Sequence, residues 1–154
     1  MSSIILYYSR SGNTERLAQR ISNDLNCDML KIEPEEAYGN YIASCFRVIK
    51  ENSKKIPPKF ITEIPDLSSY DVVLLGFPIW AQDLPVFVSE FVNQCDVQGK
   101  TVIPFATFGG TGISWTTKTL ERVCKGAEIK LPFNHGMFQK DNYDKWISAI
   151  REIN

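Results

Sequence analysis

The residues in this chain best suited to chemistry stand in three short segments, each directly after an apolar run. The first is Ser9-Arg10-Ser11-Gly12-Asn13-Thr14, which leads straight into a helical pattern. Hydroxyls and a glycine at a helix start suit an anion. The first amide N–H groups have no partner inside the helix, and the helix dipole favours negative charge there. Gly12 lets the backbone close around a ligand, and Ser9, Ser11 and Thr14 can each donate to a phosphate oxygen. The triphosphate-binding pattern G-x-x-x-x-G-K-[ST] is absent, and so is the dinucleotide pattern G-x-G-x-x-G. Donors without an obligatory cation suit a terminal monophosphate. The same residues would equally serve as a plain helix cap with a tight turn.

The second segment is Gly76-Phe77-Pro78-Ile79-Trp80-Ala81-Gln82-Asp83-Leu84-Pro85. An indole bracketed by two prolines can be held against a flat ligand by a stiff loop, or it can pack as a core tryptophan beneath that loop. The third segment is Thr107-Phe108-Gly109-Gly110-Thr111-Gly112. Its glycines allow the backbone close to a planar group, though a glycine-rich stretch can also simply turn. Elsewhere, the lone His135 follows the last apolar stretch, where it can lie on the ligand side or stand as a plain loop residue. Arg10 can approach a phosphate or face solvent. Asp83 lies near any ligand held by Trp80. Glu33, Glu35 and Glu36 read as a solvated face, and Trp115 and Trp146 as packing.

The elements that must position these loops alternate. Ile4 to Tyr8 reads as a buried strand, followed by a helix with Leu17, Ala18, Ile21 and Leu25 on one side. Met29 to Ile32 is a short strand. Tyr41, Ile42, Cys45 and Ile49 predict a helix, and Lys54 to Pro58 an exposed connection. Val72 to Gly76 is apolar at every position up to the glycine, as in a strand covered on both faces. Pro85 opens a helix whose inner stripe is Val88, Phe91, Val92 and Cys95. Thr101 to Phe108 is the next strand. Ser114 caps a helix running to Cys124 through Leu120 and Val123. Ile129 to Phe133 is the last strand, and Asp141 caps a final helix bearing Trp146, Ile147, Ile150 and Ile153. This alternation predicts an α/β protein with a parallel sheet and helices on both faces. Ligands bind such sheets beyond the carboxyl ends of the strands, where strand order reverses. The three segments fall after the first, third and fourth strands.

With 154 residues, 44% of them hydrophobic, the chain has the size and composition of one ordinary domain. A net charge of −1 and scattered lysines and arginines argue against a nucleic-acid surface. Cys27, Cys45, Cys95 and Cys124 form no C-x-x-C pair, and one histidine does not complete a zinc set. They read as small buried hydrophobes in a reducing compartment. No signal-type or membrane-spanning segment is visible, so a cytoplasmic location is expected, with no membrane partner.

The run Ile5 to Thr14, continuing to Ala18 and Ile21, resembles the flavodoxin signature. Gly76-Phe77-Pro78-Ile79-Trp80 and Phe108-Gly109-Gly110-Thr111-Gly112 are similar to loops of flavodoxin-like proteins, so that the resemblance spans roughly Ser3 to Ile153. It implies a flavodoxin-like doubly wound five-stranded parallel sheet, order 2-1-3-4-5, forming one domain over residues 1–154 that binds FMN non-covalently. On that resemblance Ser9, Arg10, Ser11, Gly12, Asn13 and Thr14 surround the phosphate. Pro78, Ile79, Trp80 and Ala81 flank the isoalloxazine, with the N–H groups of Ile79 to Ala81 at its edge. Thr107, Phe108, Gly109, Gly110 and Gly112 meet its pyrimidine side. Two features depart from the family. Many flavodoxins cover the flavin's outer face with a tyrosine of the third loop. This chain has Phe108 there, with Tyr41 and Phe138 as other aromatics able to swing over. It also lacks the strong acidity with which known flavodoxins dock basic partners.

The resemblance implies electron transfer through FMN to a redox partner protein, with no catalytic side chain required. The alternative is an NAD(P)H-dependent quinone or flavin oxidoreductase of the same fold, like the family once named for binding the tryptophan repressor. That reading takes NAD(P)H and quinone as partners. Monomer and homodimer are both compatible. A response-regulator receiver would need acidic residues where Ser9-Arg10-Ser11 and Pro78-Ile79-Trp80 stand.

Overall fold

The computed structural model describes residues 1–54, 58–108, 112–136 and 142–153. Its centre is a parallel sheet. Along β1 (Ser3–Tyr7), Ile4 and Leu6 point to one side, Ile5 and Tyr7 to the other, as the two-residue period of a strand requires. Along β3 (Val72–Pro78), Val73, Leu75 and Phe77 join the first side, Val72 and Leu74 the second. Both sides are covered, which is why these strands read as unbroken apolar runs. With β2 (Asp28–Lys31), β4 (Thr101–Phe108) and the short β5 (Glu128–Ile129), the order is β2-β1-β3-β4-β5. The chain therefore leaves β1 in one direction to β2 and crosses back over it to β3. That reversal opens the sheet at the carboxyl ends of β1 and β3.

Helices α1 (Asn13–Leu25) and α5 (Tyr143–Ile153) cover the second side, through Leu17, Ala18 and Ile21 and through Trp146, Ile147 and Ile150. On the first side lie α2 (Tyr41–Ser53), α3 (Val86–Gln94) and α4 (Thr117–Val123). Pro85 is the N-cap of α3, one position before the expected helix start. Gly76 is required by packing. A Cβ there would meet Cζ of Phe105, its neighbour across the ladder, at 2.3 Å.

Three expectations change. The last strand is not continuous over Ile129 to Phe133. It is interrupted after β5 and resumes as β6 (Phe133–Gly136), which also pairs with β4. Between the Val102↔Ile129 and Phe105↔Phe133 pairs the edge strand uses one more residue than β4 does. Leu131 in that gap has φ 46°, and Pro132 offers no N–H to the ladder. The result is a bulge that carries the strand on to Gly136. Ser114 does not cap a helix: residues Ile113–Thr116 form a 3-10 turn and Thr116 caps α4. Trp115 is exposed rather than packed. The helix predicted from Tyr41, Ile42, Cys45 and Ile49 forms as α2, and of those four only Cys45 packs against the core. Ser44, Val48 and Glu51 are buried, while Tyr41, Ile42 and Ile49 face out. Asp141 and most of the connection from Lys54 to Pro58 lie outside the described residues.

Candidate functional site

A cavity of about 620 Å³ opens at the carboxyl ends of β1, β3, β4 and β6, within the size range of small-molecule sites. Its floor is the loop after β1. Gly12 has φ 91° and its N–H donates to Ser9 Oγ at 3.1 Å. This bond tightens the turn and leaves the Ser9 proton free to point elsewhere. The first intrahelical bond runs from Arg16 N–H to Gly12 O at 2.9 Å. The amides of Asn13, Thr14 and Glu15 therefore have no carbonyl within the helix. Thr14 is buried, and its Oγ1 shares a hydrogen bond of 2.8 Å with Thr107 Oγ1 on β4. One hydroxyl pair thus ties the first loop to the end of β4.

The loop after β3 forms an apolar wall. Pro78, Ile79 and Trp80 line the cavity, and the Trp80 indole is only 2% exposed. It packs edge-on against Tyr8, with centroids 5.6 Å apart, and tilts against Tyr38 at 5.0 Å. Trp80 is thus a core side chain that also walls the site. Burial pushes the Tyr8 phenol up to about 12, so this wall carries no charge near neutral pH. Backbone bonds hold the loop. Trp80 and Asp83 exchange both N–H···O bonds, at 2.9 and 3.1 Å, across Ala81 and Gln82, whose φ values are 49° and 68°. Positive φ at both central residues is what a type I′ turn demands, and non-glycine residues adopt it at a cost. The Asp83 carboxylate accepts from Leu84 N–H at 2.8 Å and from the Thr119 hydroxyl at 2.6 Å, which anchors the turn to α4.

These bonds correct one expectation. Ile79 N–H donates to Thr107 O at 3.0 Å and Trp80 N–H to Asp83 O. Both are spent and do not face a ligand edge; of the three amides only that of Ala81 lacks an acceptor among the described residues. Thr107 and Phe108 line the cavity. The Phe108 ring lies over Gly136, where a Cβ would be 2.7 Å from its Cζ. Gly12, Ala81 and Gly112 shape their loops but do not line the cavity. Gly112 precedes the 3-10 turn beside Asn134, whose Oδ1 accepts from Ile113 N–H at 2.6 Å. Gly109, Gly110 and Phe138 lie outside the described residues.

Several lining residues were not foreseen. Arg16, Leu17 and Arg20 follow Asn13 at helical spacing and continue the cavity wall along α1. That spacing from Asn13 was the sequence signal that could have found them. Arg10 also lines the cavity, and its guanidinium donates to Gly39 O at 3.2 Å. With Arg16 bonded to Asn13 Oδ1, the described lining contains three arginines and no carboxylate; Arg20 is ion-paired with Asp144 at 3.3 Å, so the attraction for an anion rests on Arg10 and Arg16. His135 and Gly136 reach the site on β6, and Tyr41 from the start of α2. Tyr41 and His135 stand among the sequence's candidates for the ligand side, and nothing local marks Gly136; the bulge and the seating of α2 bring all three in.

A doubly wound sheet with a hydroxyl-and-amide anion loop at its switch point defines the flavodoxin-like class of α/β proteins. Comparison gives the same answer and narrows it. The model of a family described as "Flavodoxin" matches residues 2–150, and the chain belongs to that family. Its fold is similar to that of a putative flavoprotein from Bacteroides uniformis, with 26% identity, 97% of each chain covered and a TM-score of 0.82. A putative flavoprotein from Bacteroides eggerthii shares 26% identity over 99% of this chain and 96% of that one, with a TM-score of 0.79. A flavoprotein from Lactobacillus acidophilus, solved in complex with FMN, has the same fold at 20% identity, 94% and 97% coverage and a TM-score of 0.76. Among curated proteins none matches the chain in sequence.

Proposed function

We propose that this chain is a single-domain flavoprotein that binds FMN non-covalently in the cavity and transfers electrons through it to and from a redox partner protein. One observation carries the reading: the anion loop, an arginine-rich wall without a carboxylate, and an apolar aromatic wall converge on one cavity at the switch point. The residues present fit the group. Ser9, Ser11, Thr14 and the unspent amides at the start of α1 suit its phosphate, with Arg10 and Arg16 supplying compensating charge. Pro78, Ile79 and Trp80 suit a flat ring and exclude water from one of its faces. FMN, when bound, supplies the redox chemistry; the protein binds, orients and shields it. Its apolar wall disfavours added negative charge on the ring, because a charge removed from water costs free energy unless it is paired.

A second reading is kept for a specific reason. Phe108 packs over Gly136 instead of extending across the cavity, which leaves the outer side to the half-exposed Tyr41 or to a second substrate. A second substrate there would make the protein an NAD(P)H-dependent quinone or flavin oxidoreductase. One experiment separates the readings: an absorption spectrum of the protein with added FMN, then anaerobic mixing with NADPH or NADH, then with quinone. A bound-flavin spectrum that ignores both nucleotides but accepts electrons from dithionite or a reductase supports the carrier. Rapid bleaching by a nucleotide and reoxidation by quinone supports the enzyme. Absence of a bound-flavin spectrum rejects both.

A further inference from the structure

Among the described residues of the cavity wall, His135 is the only one of the type that ordinarily titrates between pH 5 and 8. It is exposed, and it is the single histidine of the chain. The pairing of β6 with β4 sets where it points. Residues paired across a ladder face the same side of a sheet. Phe105 and its partner Phe133 both pack on the side of α1 and α5. Two residues further on, Thr107 and its partner His135 face that side as well. There Thr107 Oγ1 is bonded to Thr14 Oγ1 at 2.8 Å. Adjacent strands lie about 4.8 Å apart, so His135 stands one strand beyond that hydroxyl pair. It thus flanks the anion loop and the open start of α1.

The other charges around it are already engaged. From α1, Arg16 is bonded to Asn13 Oδ1, and Arg20 is paired with Asp144 of α5 at 3.3 Å. From the loop after β1, the Arg10 guanidinium donates to Gly39 O. The Tyr41 phenol of α2 and the Tyr143 phenol of α5 are both raised, chiefly by burial, and stay neutral. The imidazole of His135 has no hydrogen-bond or ion-pair partner among the described residues.

We propose that His135 belongs to the anion site: as an imidazolium it pairs with the ligand's phosphate and makes the cavity select a phosphorylated flavin over the unphosphorylated one. The inference rests on the reading of the cavity as an FMN site. Its pH dependence has a definite sign. A phosphate monoester gives up its second proton near about pH 6, so dianion and imidazolium coexist around pH 6 to 7. Pairing makes the imidazole hold its proton more tightly in the complex. The gain in binding is therefore complete below the free imidazole's titration and is lost as pH rises through that of the complex.

The single histidine makes the test direct, because its Cε1 proton gives one NMR signal in the untagged full chain. That signal is followed from pH 5 to 9 in the free protein, with FMN and with riboflavin. FMN moves the midpoint up by about one pH unit, and riboflavin leaves it in place. Fluorescence titration gives the matching affinities. At pH 5.5 the wild type binds FMN about tenfold more tightly than His135→Gln; at pH 9 the two agree, and riboflavin binds both alike. His135→Lys, cationic throughout, keeps its FMN affinity at pH 9. Circular dichroism is unchanged in both variants, since His135 is exposed. A midpoint indifferent to FMN, while fluorescence shows FMN bound, overturns the inference and leaves the FMN reading standing. A midpoint moved equally by riboflavin overturns it too. Failure of FMN to bind at either pH removes both.

Discussion

Thr14 shows how much one side chain does at this site. It lies at the start of α1, is 1% exposed and shares its hydroxyl with Thr107. The pair can offer one proton to a phosphate while keeping the other between them. A bulky replacement would collide with the buried surroundings, so the informative change is the isosteric one. Thr14→Val leaves Thr107 with one partner fewer and costs about 1 kcal/mol of stability. It weakens FMN about tenfold, as loss of a hydrogen bond to a charged group does. Urea unfolding and fluorescence titration with FMN measure the two effects separately. Full FMN affinity in Thr14→Val would show that the hydroxyl only caps the helix.

At the scale of elements, the loop between β3 and α3 depends on the turn at Ala81 and Gln82, and that turn depends on Asp83. The Asp83 carboxylate spans from Leu84 N–H to the Thr119 hydroxyl and offsets two left-handed non-glycine residues. Removing it in Asp83→Ala costs about 1–2 kcal/mol and loosens the Trp80 wall, so FMN affinity falls too. Thr119→Val added to Asp83→Ala costs less than Thr119→Val alone, because the two residues share one bond. Additive losses in thermal or urea unfolding would show that the contact does not hold the turn. The same scale explains why residue spacing predicts α2 but not which of its faces is buried. Apolar spacing announces a helix and says nothing about which face finds the sheet. Here the contacts of Tyr38 with Glu51 and Arg47 help decide that, and although Arg47 and Glu51 pair at helical spacing, Tyr38 precedes the helix and spacing alone does not pair it with them.

At the scale of the molecule, burial keeps acidic side chains neutral. Desolvation pushes the thiols of Cys95 and Cys124 from 9.0 up to about 12, and that of Cys27 to about 11. Tyr7 and Tyr8 rise from 10.0 to about 12, desolvation again being the main cause, with the Glu15 carboxylate adding to it at Tyr7. Each of these groups gives up its proton more easily unfolded than folded. Their contribution to stability is complete below about pH 9 and is lost as pH rises toward 12. Thermal midpoints measured from pH 7 to strongly alkaline conditions should hold level and then fall once pH passes the ordinary thiol value. Under the same logic, Cys95 and Cys124 stay unreactive to a thiol reagent at mild pH until the chain unfolds. Prompt labelling of four thiols in the folded protein would contradict it.

The sheet and the anion loop were legible because their causes are local. Unbroken apolar runs such as Val72 to Leu75 belong to strands buried on both sides, and Ser9 to Thr14 is a helix start whose amides need a partner. Alternating strands and helices then force parallel pairing with the loops at one end. What the sequence did not determine depends on register and rotation. An extra residue near Leu131 shifts β6 so that His135 pairs with Thr107 and lands in the cavity. The turn at Ala81 and Gln82 consumes the Trp80 amide, and the pairing of Ile79 with Thr107 consumes the other. Seating α2 on Tyr38 turns its apolar stripe to solvent and brings Tyr41 to the cavity wall. The order of residues along the chain fixes which groups stand on each element. Only the packed structure decides which of their donors remain unspent and which of their faces remain uncovered, because both depend on partners distant in sequence.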